Sequence, residues 1–197
     1  DQSARLDRAA AGQGAYVVAS LILSGLDALI DMARQVEQAG VRVLEVNIGT
    51  PYASQATKGA VSTELDPGRV TAIVSAVRAA VSLPMWVKIS GQSERVPDLA
   101  EAARLAGADA VVMAGRSLPL IPDLETLEPM LGTSLGVGGH WNLPLTCHWL
   151  ALSRKALGPE FPLVATNGAQ DWRDVARMML AGGHAVQMSS AVMMRGP

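Results

Sequence analysis

Cysteine is nearly missing from the 197-residue chain: Cys147 stands alone, which excludes an internal disulfide and any cysteine-rich zinc site. Aromatic residues are scarce, seven in all, too few for a platform that stacks single-stranded nucleic acid. Neither sign of charge dominates. With 16 Lys and Arg against 18 Asp and Glu, the formal net charge is −2 and nothing calls for a polyanionic partner. No apolar run approaches the ~18 residues of a membrane-spanning helix. Residues 1–11 (DQSARLDRAAA) alternate charge with alanine, unlike a signal peptide or an anchor. His140, His148 and His184 share no ligand spacing, so no metal is expected. What remains is 49% hydrophobic, enough for one sizeable core. The expectation is a cytoplasmic α/β domain acting on a small molecule, with no nucleic-acid or membrane partner.

Short β-branched runs alternate with alanine-rich stretches of helical period. The runs lie at 16–20 (YVVAS), 42–47 (RVLEVN), 85–90 (MWVKIS), 108–113 (ADAVVM), 162–166 (PLVAT) and 184–189 (HAVQMS). Apolar spacing of i, i+3, i+4 predicts helices near 25–39, 67–81, 96–106, 145–157 and 170–181. The strands are nearly continuous in apolar residues, as parallel strands covered on both faces should be. Repeated βα units mean a doubly wound sheet or a (β/α)8 barrel. Polar residues and glycines gather at the strands' C-terminal ends, where a barrel places its active site and where its last loops often hold phosphate.

The fold expected is therefore α/β, a (β/α)8 TIM barrel of which about six βα units are present. Residues 1–197 read as a single, partial domain, with the first two strands and the last helix absent. The Gly/Pro/Leu-rich segment 114–144 has no helical period and suits a lid over the barrel mouth. The polar 48–66 loop suits the other wall of a pocket.

At 44–53 (LEVNIGTPYA) the chain resembles the dihydroorotate dehydrogenase family, which includes the flavin domain of dihydropyrimidine dehydrogenase and carries E-x-N-x-S-[CS]-P-N at the end of its fourth strand. Four further pieces follow in family order. PMWVKIS (84–90) resembles the strand that bears the flavin-contacting lysine, and AGADAVVM (106–113) the sixth strand. VGGHWNLP (137–144) resembles the phosphate loop, and 167–191 the closing segment. The resemblance covers about 16–197 and corresponds to the family's strands three to eight.

The resemblance implies a barrel holding non-covalent FMN, with its phosphate on the last two βα loops. Carried over residue by residue, it assigns Gly138, Gly139, Asn167, Gly168, Ser189 and Ser190 to the phosphate end. It assigns Lys88 to the flavin's pyrimidine edge and Asn47 to flavin or substrate. The chemistry agrees independently, since glycines let backbone N–H groups approach a phosphate and hydroxyls add donors. Other readings of these residues stay open. A Gly-Gly pair is also an ordinary βα turn, Lys88 also fits a snorkelling or Schiff-base lysine, and Asn47 also fits a turn starter. Ser20 suits either the flavin edge or a helix cap. Glu45 reads as a structural partner between strand and helix.

Three positions depart from the family, and all touch catalysis. Thr50 stands where the family has its Cys or Ser base, Tyr52 replaces an asparagine, and Arg116-Ser117 replaces an Asn-Ser pair. A guanidinium holds an anion in bidentate fashion and does not reproduce an amide's pattern. The expected function is an FMN-dependent oxidoreductase acting on a CH–CH bond of a small heterocyclic or anionic substrate other than dihydroorotate. Thr50 and Lys88 are its catalytic candidates; Asn47, Tyr52, Arg116 and Ser117 are its substrate candidates. The alternatives are a flavin-binding or scaffold subunit without the base, and an unrelated phosphate-binding barrel lyase using Lys88 as an amine. A homo-oligomer or a place in a larger complex is expected.

Overall fold

Alternation along each strand decides which residues meet the helices and which meet the barrel interior. In β2 (Val43–Asn47), β3 (Met85–Lys88), β4 (Ala110–Met113) and β5 (Leu163–Thr166), one alternate set packs into the layer shared with the helices. That set is Leu44, Val46, Met85, Val87, Val111, Met113, Leu163 and Ala165. The other set points the opposite way. Ala110, Val112 and Val164 form a second small cluster with Trp86, and period two puts Glu45, Asn47, Lys88 and Thr166 on that same inner face. With β1 (Val18–Ile22) and β6 (Ala185–Gln187), the six strands form one parallel sheet in the order β1-β2-β3-β4-β5-β6. Helices alternate with them, so the architecture is a six-unit arc of a (β/α)8 barrel. The computed structural model describes residues 2–23, 25–49, 66–117, 119–130, 132 and 136–196.

The helices sit where the apolar period places them. Among the described residues the helices are α1 (Gln2–Ala11), α2 (Leu26–Gln38), α3 (Pro67–Ala80), α4 (Val96–Leu105), α5 (Leu143–Leu157), α6 (Trp172–Leu180) and α7 (Ser190–Arg195). Helix α3 buries Val70, Ile73, Val74 and Val77, and α4 buries Val96, Leu99, Ala100 and Ala103. Both follow i, i+3, i+4, i+7, and each large apolar side chain so buried contributes about 1.5–3 kcal/mol. The starts are chemically marked. Asp66 accepts the N–H of Arg69 at 3.1 Å with Pro67 in the first turn, and Asp171 accepts those of Arg173 and Asp174.

Four features differ from expectation. Strand β1 starts at Val18 rather than 16, because the Val17 N–H bonds Asp7 at 2.7 Å and the ladder begins at the Val18–Val43 pair. Residues 2–11 are helical, anchored by Asp7, which also takes two bonds from Arg42 at 2.8 and 2.9 Å. Helix α5 starts at Leu143, led in by a 3-10 turn at His140–Asn142. The chain after β6, where no helix was expected, is helical at Ser190–Arg195.

Arginine rather than lysine holds the turns that lead from helices back into strands. Arg78 donates to Val81 O, Leu83 O and Asp109; Arg154 donates to the carbonyls of Gly158, Phe161 and Gly182. A rigid fork with five N–H donors satisfies several carbonyls at once, which an ammonium does less well.

Asp7 links this framework to pH. The hydrogen bond from Arg42, then that from Val17, hold its carboxyl below the usual range. A folded value below the unfolded one adds stability at neutral pH that is lost as pH falls through the folded value. Asp7→Asn is therefore expected to flatten the acid limb of the stability curve below about pH 4 and to open α1 to limited proteolysis. Urea midpoints across the acid range check this; an acid limb as steep as in the unaltered protein refutes it.

Candidate functional site

The C-terminal strand ends open into a cavity of about 840 Å3, within the range of small-molecule sites. Asn47 and Lys88 line it from the ends of β2 and β3, and Ala114, Gly115 and Arg116 from the chain after β4. The 136–140 loop, the turn from Thr166 to Gln170, and the segment from Gln187 to Ala191 with Met194 and Arg195 complete the lining. The cavity thus gathers Asn47, Lys88, Arg116, Gly138, Gly139, Asn167, Gly168, Ser189 and Ser190, all singled out from sequence. Ser20 and Ser117 do not line it. The Ser20 hydroxyl is given to Glu45 and the helix that follows is capped at Gly25, while the Ser117 backbone pairs with Val137. Thr50 and Tyr52 lie outside the described residues, as does most of the 48–66 loop.

Beneath the cavity, Glu45 collects donors from both sides of the arc. Its Oε1 accepts from Ser20 Oγ on β1 at 2.6 Å and from Lys88 Nζ on β3 at 2.9 Å. Its Oε2 accepts from Gln187 Nε2 on β6 at 2.6 Å. Glu45 therefore points into the barrel, not between strand and helix, and its cation is Lys88. It is 2% exposed. Burial pushes its carboxyl up, but the Ser20 bond, the Lys88 charge and bond, and the Gln187 bond together hold it below the ordinary value. Lys88 is thus paired inside the barrel rather than snorkelling to solvent. Asn47 is buried as well; its Oδ1 accepts the Gly49 N–H at 3.2 Å, and its NH2 has no partner among the described residues.

The opposite end is built from closely apposed backbone. Asn167, at φ +75°, accepts the Gly139 N–H through Oδ1 at 3.0 Å, and its own carbonyl accepts from Thr146 Oγ1 at 2.7 Å. A Cβ on Gly138 would lie 2.5 Å from Asn167 Oδ1. A Cβ on Gly168 would lie 2.7 Å from the backbone of Leu143. These glycines let three loops converge. His140 adds an imidazole at the rim: Nδ1 is 3.1 Å from Gly168 O and 3.3 Å from Asp174 Oδ2. Both neighbours are acceptors, so Nδ1 is the ring nitrogen that donates. Burial raises the Asp174 carboxyl, but the Gln170 N–H, the Arg177 bond and the His140 and Arg177 charges bring it below its usual value.

Sequence reading missed Glu45 as a hub, Gln187 as its partner, and His140 and Arg195 at the rim. The sequence carries only part of the signal: Ser20, Glu45, Lys88 and Gln187 are polar side chains in short apolar strands, but nothing local shows that they meet. Among the described residues of the 114–144 segment, those that line the cavity are 114–116 and 136–140. Its middle carries antiparallel bridges at Ser117–Val137 and Pro122–Pro129, with Leu124 and Leu127 exposed. Among the described residues, no helix is long and apolar enough to cross a membrane.

The family model described as dihydroorotate dehydrogenase matches residues 5–197. The chain is 28% identical over 177 residues to dihydroorotate dehydrogenase A (fumarate) of Lactobacillus helveticus, covering 89% of this chain and 56% of that protein. It is 31% identical to the catalytic subunit of dihydroorotate dehydrogenase B (NAD(+)) of Methanosarcina acetivorans, covering 89% of this chain and 55% of that one. The chain thus spans little more than half the length of these relatives. The crystal structure of DHODH from Eimeria tenella in complex with ferulenol superposes with a TM-score of 0.71 at 17% identity, covering 89% of this chain and 51% of that one, and supports the fold. By sequence match along almost its whole length, the chain belongs to the dihydroorotate dehydrogenase family.

Proposed function

We propose that the chain is the flavin-binding part of an FMN-dependent oxidoreductase that acts on a small heterocyclic or anionic substrate other than dihydroorotate. The observation that carries the reading is that one cavity brings Lys88 and Asn47 together with the converging glycine loops. The residues fit FMN. The cavity lining changes chemistry across it, with an amide and an ammonium at the strand ends and glycine backbone plus two serine hydroxyls at the β5 and β6 loops. Gly138, Gly139, Asn167, Gly168, Ser189 and Ser190 would hold the phosphate. Lys88 would hold the pyrimidine edge.

When bound, FMN supplies the hydride chemistry; the chain supplies position and charge. Lys88 spends one of its three N–H donors on Glu45 and has no other partner among the described residues. The ammonium so held would offset negative charge gained by the ring on reduction. Among the described residues the Asn47 amide NH2 has no partner and Arg116 bonds Gly136 O at 3.4 Å, so both have donors to offer, the guanidinium to an anionic substrate group. Arg116 is what argues against dihydroorotate, because a site built around a guanidinium leaves an amide-seeking ligand with unmatched groups. Thr50 or Tyr52 would move the accompanying proton.

The visible absorption spectrum of the freshly purified protein tests this, followed by heat release and mass identification of any chromophore. A flavin spectrum with FMN released is expected, as is bleaching by a reduced substrate. A colourless protein that takes up no added FMN refutes the reading. FMN that no dihydropyrimidine, reduced pterin or nicotinamide donor reduces would instead favour a flavin-binding subunit without turnover of its own.

A further inference from the structure

Glu45 lies outside the groups assigned above to phosphate and substrate, yet its buried carboxylate accepts three side-chain hydrogen bonds in the barrel interior. We propose that Glu45 is a positioning residue: it fixes the Lys88 ammonium at the flavin's pyrimidine edge and sets how strongly that charge favours reduced over oxidised FMN. The proposal rests on the flavin reading above and extends it to a residue that touches neither cofactor nor substrate.

Three observations carry it. First, Glu45 is itself immobilised from opposite sides of the arc, by Ser20 on β1 and Gln187 on β6, both at 2.6 Å. An anchor held on two strands fixes what it holds on a third. Second, Lys88 lines the cavity while Glu45 does not, so the cation stands between the carboxylate and the ligand. A bound ring therefore meets the positive end of a neutral pair rather than a bare cation. Third, the two side chains are largely enclosed, at 16% and 2% exposure, so solvent screens their charges weakly.

The chemistry gives a signed expectation. Glu45→Gln keeps the shape, and the Gln187 amide has only to turn over to present its oxygen to the new NH2. The mutation removes the negative charge and leaves the cation, which strengthens the attraction for the reduced, more negative ring. With Lys88→Met already in place the outcome changes. A carboxylate so deeply buried without its counter-charge takes up a proton, so exchanging it for an amide is electrically silent.

The experiment measures the dissociation constants of oxidised FMN and, anaerobically, of dithionite-reduced FMN with the apoprotein. It compares the unaltered protein, E45Q, K88M and E45Q/K88M. In E45Q the ratio of the two constants is expected to move about tenfold toward the reduced form, equivalent to about 30 mV for a two-electron couple. In the K88M background the same change is expected to move it less than about twofold. No shift in E45Q overturns the proposal and leaves Glu45 structural; equal shifts in both backgrounds overturn it because Glu45 then acts on the ring directly. Should E45Q fail to fold, Glu45→Asp keeps the charge but shortens its reach by one methylene. A smaller shift in the same direction supports the proposal and no shift overturns it. Failure of the unaltered protein to bind FMN overturns the flavin reading itself, an outcome distinct from binding without a shift.

Discussion

Alanine at Gly168 is expected to weaken FMN binding by about a hundredfold or more and to lower the thermal midpoint, because two costs fall on one methyl group. The residue has φ +128°, a conformation that costs an L side chain on the order of 1–3 kcal/mol. The new Cβ would also lie 2.7 Å from the backbone N and Cα of Leu143, the first residue of α5. Backbone cannot step aside by changing rotamer, so either the β5 loop or the start of α5 must move. Both belong to the converging end of the cavity, and a total of about 3 kcal/mol on binding is a factor of about a hundred. Gly158→Ala is the control. Its φ is +81°, but nothing lies within 4 Å of the added methyl, so it carries the backbone cost without the collision. FMN titration and thermal melts of both variants decide. If they lose FMN affinity equally, close approach at Gly168 is not what shapes the site.

Glu45→Leu is expected to cost about 3–5 kcal/mol of stability, far more than removal of an exposed ion pair. The change strands the Lys88 ammonium and leaves the Ser20 and Gln187 donors without their acceptor. For a domain of this size each kcal/mol moves the midpoint by about 2–4 °C, so a fall of about 6–20 °C is expected. The E45L/K88M double variant should recover much of that loss, since removing both charges removes the stranded one. Melts of the single and double variants, run without flavin, test it. A double variant no more stable than E45L would mean that the hydrogen bonds from β1 and β6, not the ion pair, hold this layer together.

Much of the architecture could be read from sequence because it depends on patterns local to each element. The runs of Val, Leu and Ala mark strands buried against helices, and Asp66-Pro67 and Asp171 mark helix starts by their own side chains. The site was legible where residue type alone carries the chemistry, as with Lys88 in an apolar strand and the glycines at strand ends. It was illegible where the meaning lies in a long-range contact. Nothing near Glu45 in sequence shows that Gln187 will reach it, and nothing near Ser20 shows that its hydroxyl serves that same carboxylate instead of a ligand. The short helix α1 escaped notice because its stability comes from Asp7 meeting Arg42, thirty-five positions away, rather than from its weak apolar face.

Strands of the sheet pair with their neighbours in sequence, and the helices between them pack onto the same neighbours. Chain segments therefore find their partners early and close by, and loop-closure entropy is met in small instalments. The bond from Gln187 to Glu45 breaks that rule, for it joins residues 142 positions apart. It has nothing to close upon until β2 and β6 are both built and the arc between them has its curvature. In the order of folding events it belongs at the end, so the buried layer that holds Lys88 becomes complete only once the arc has formed.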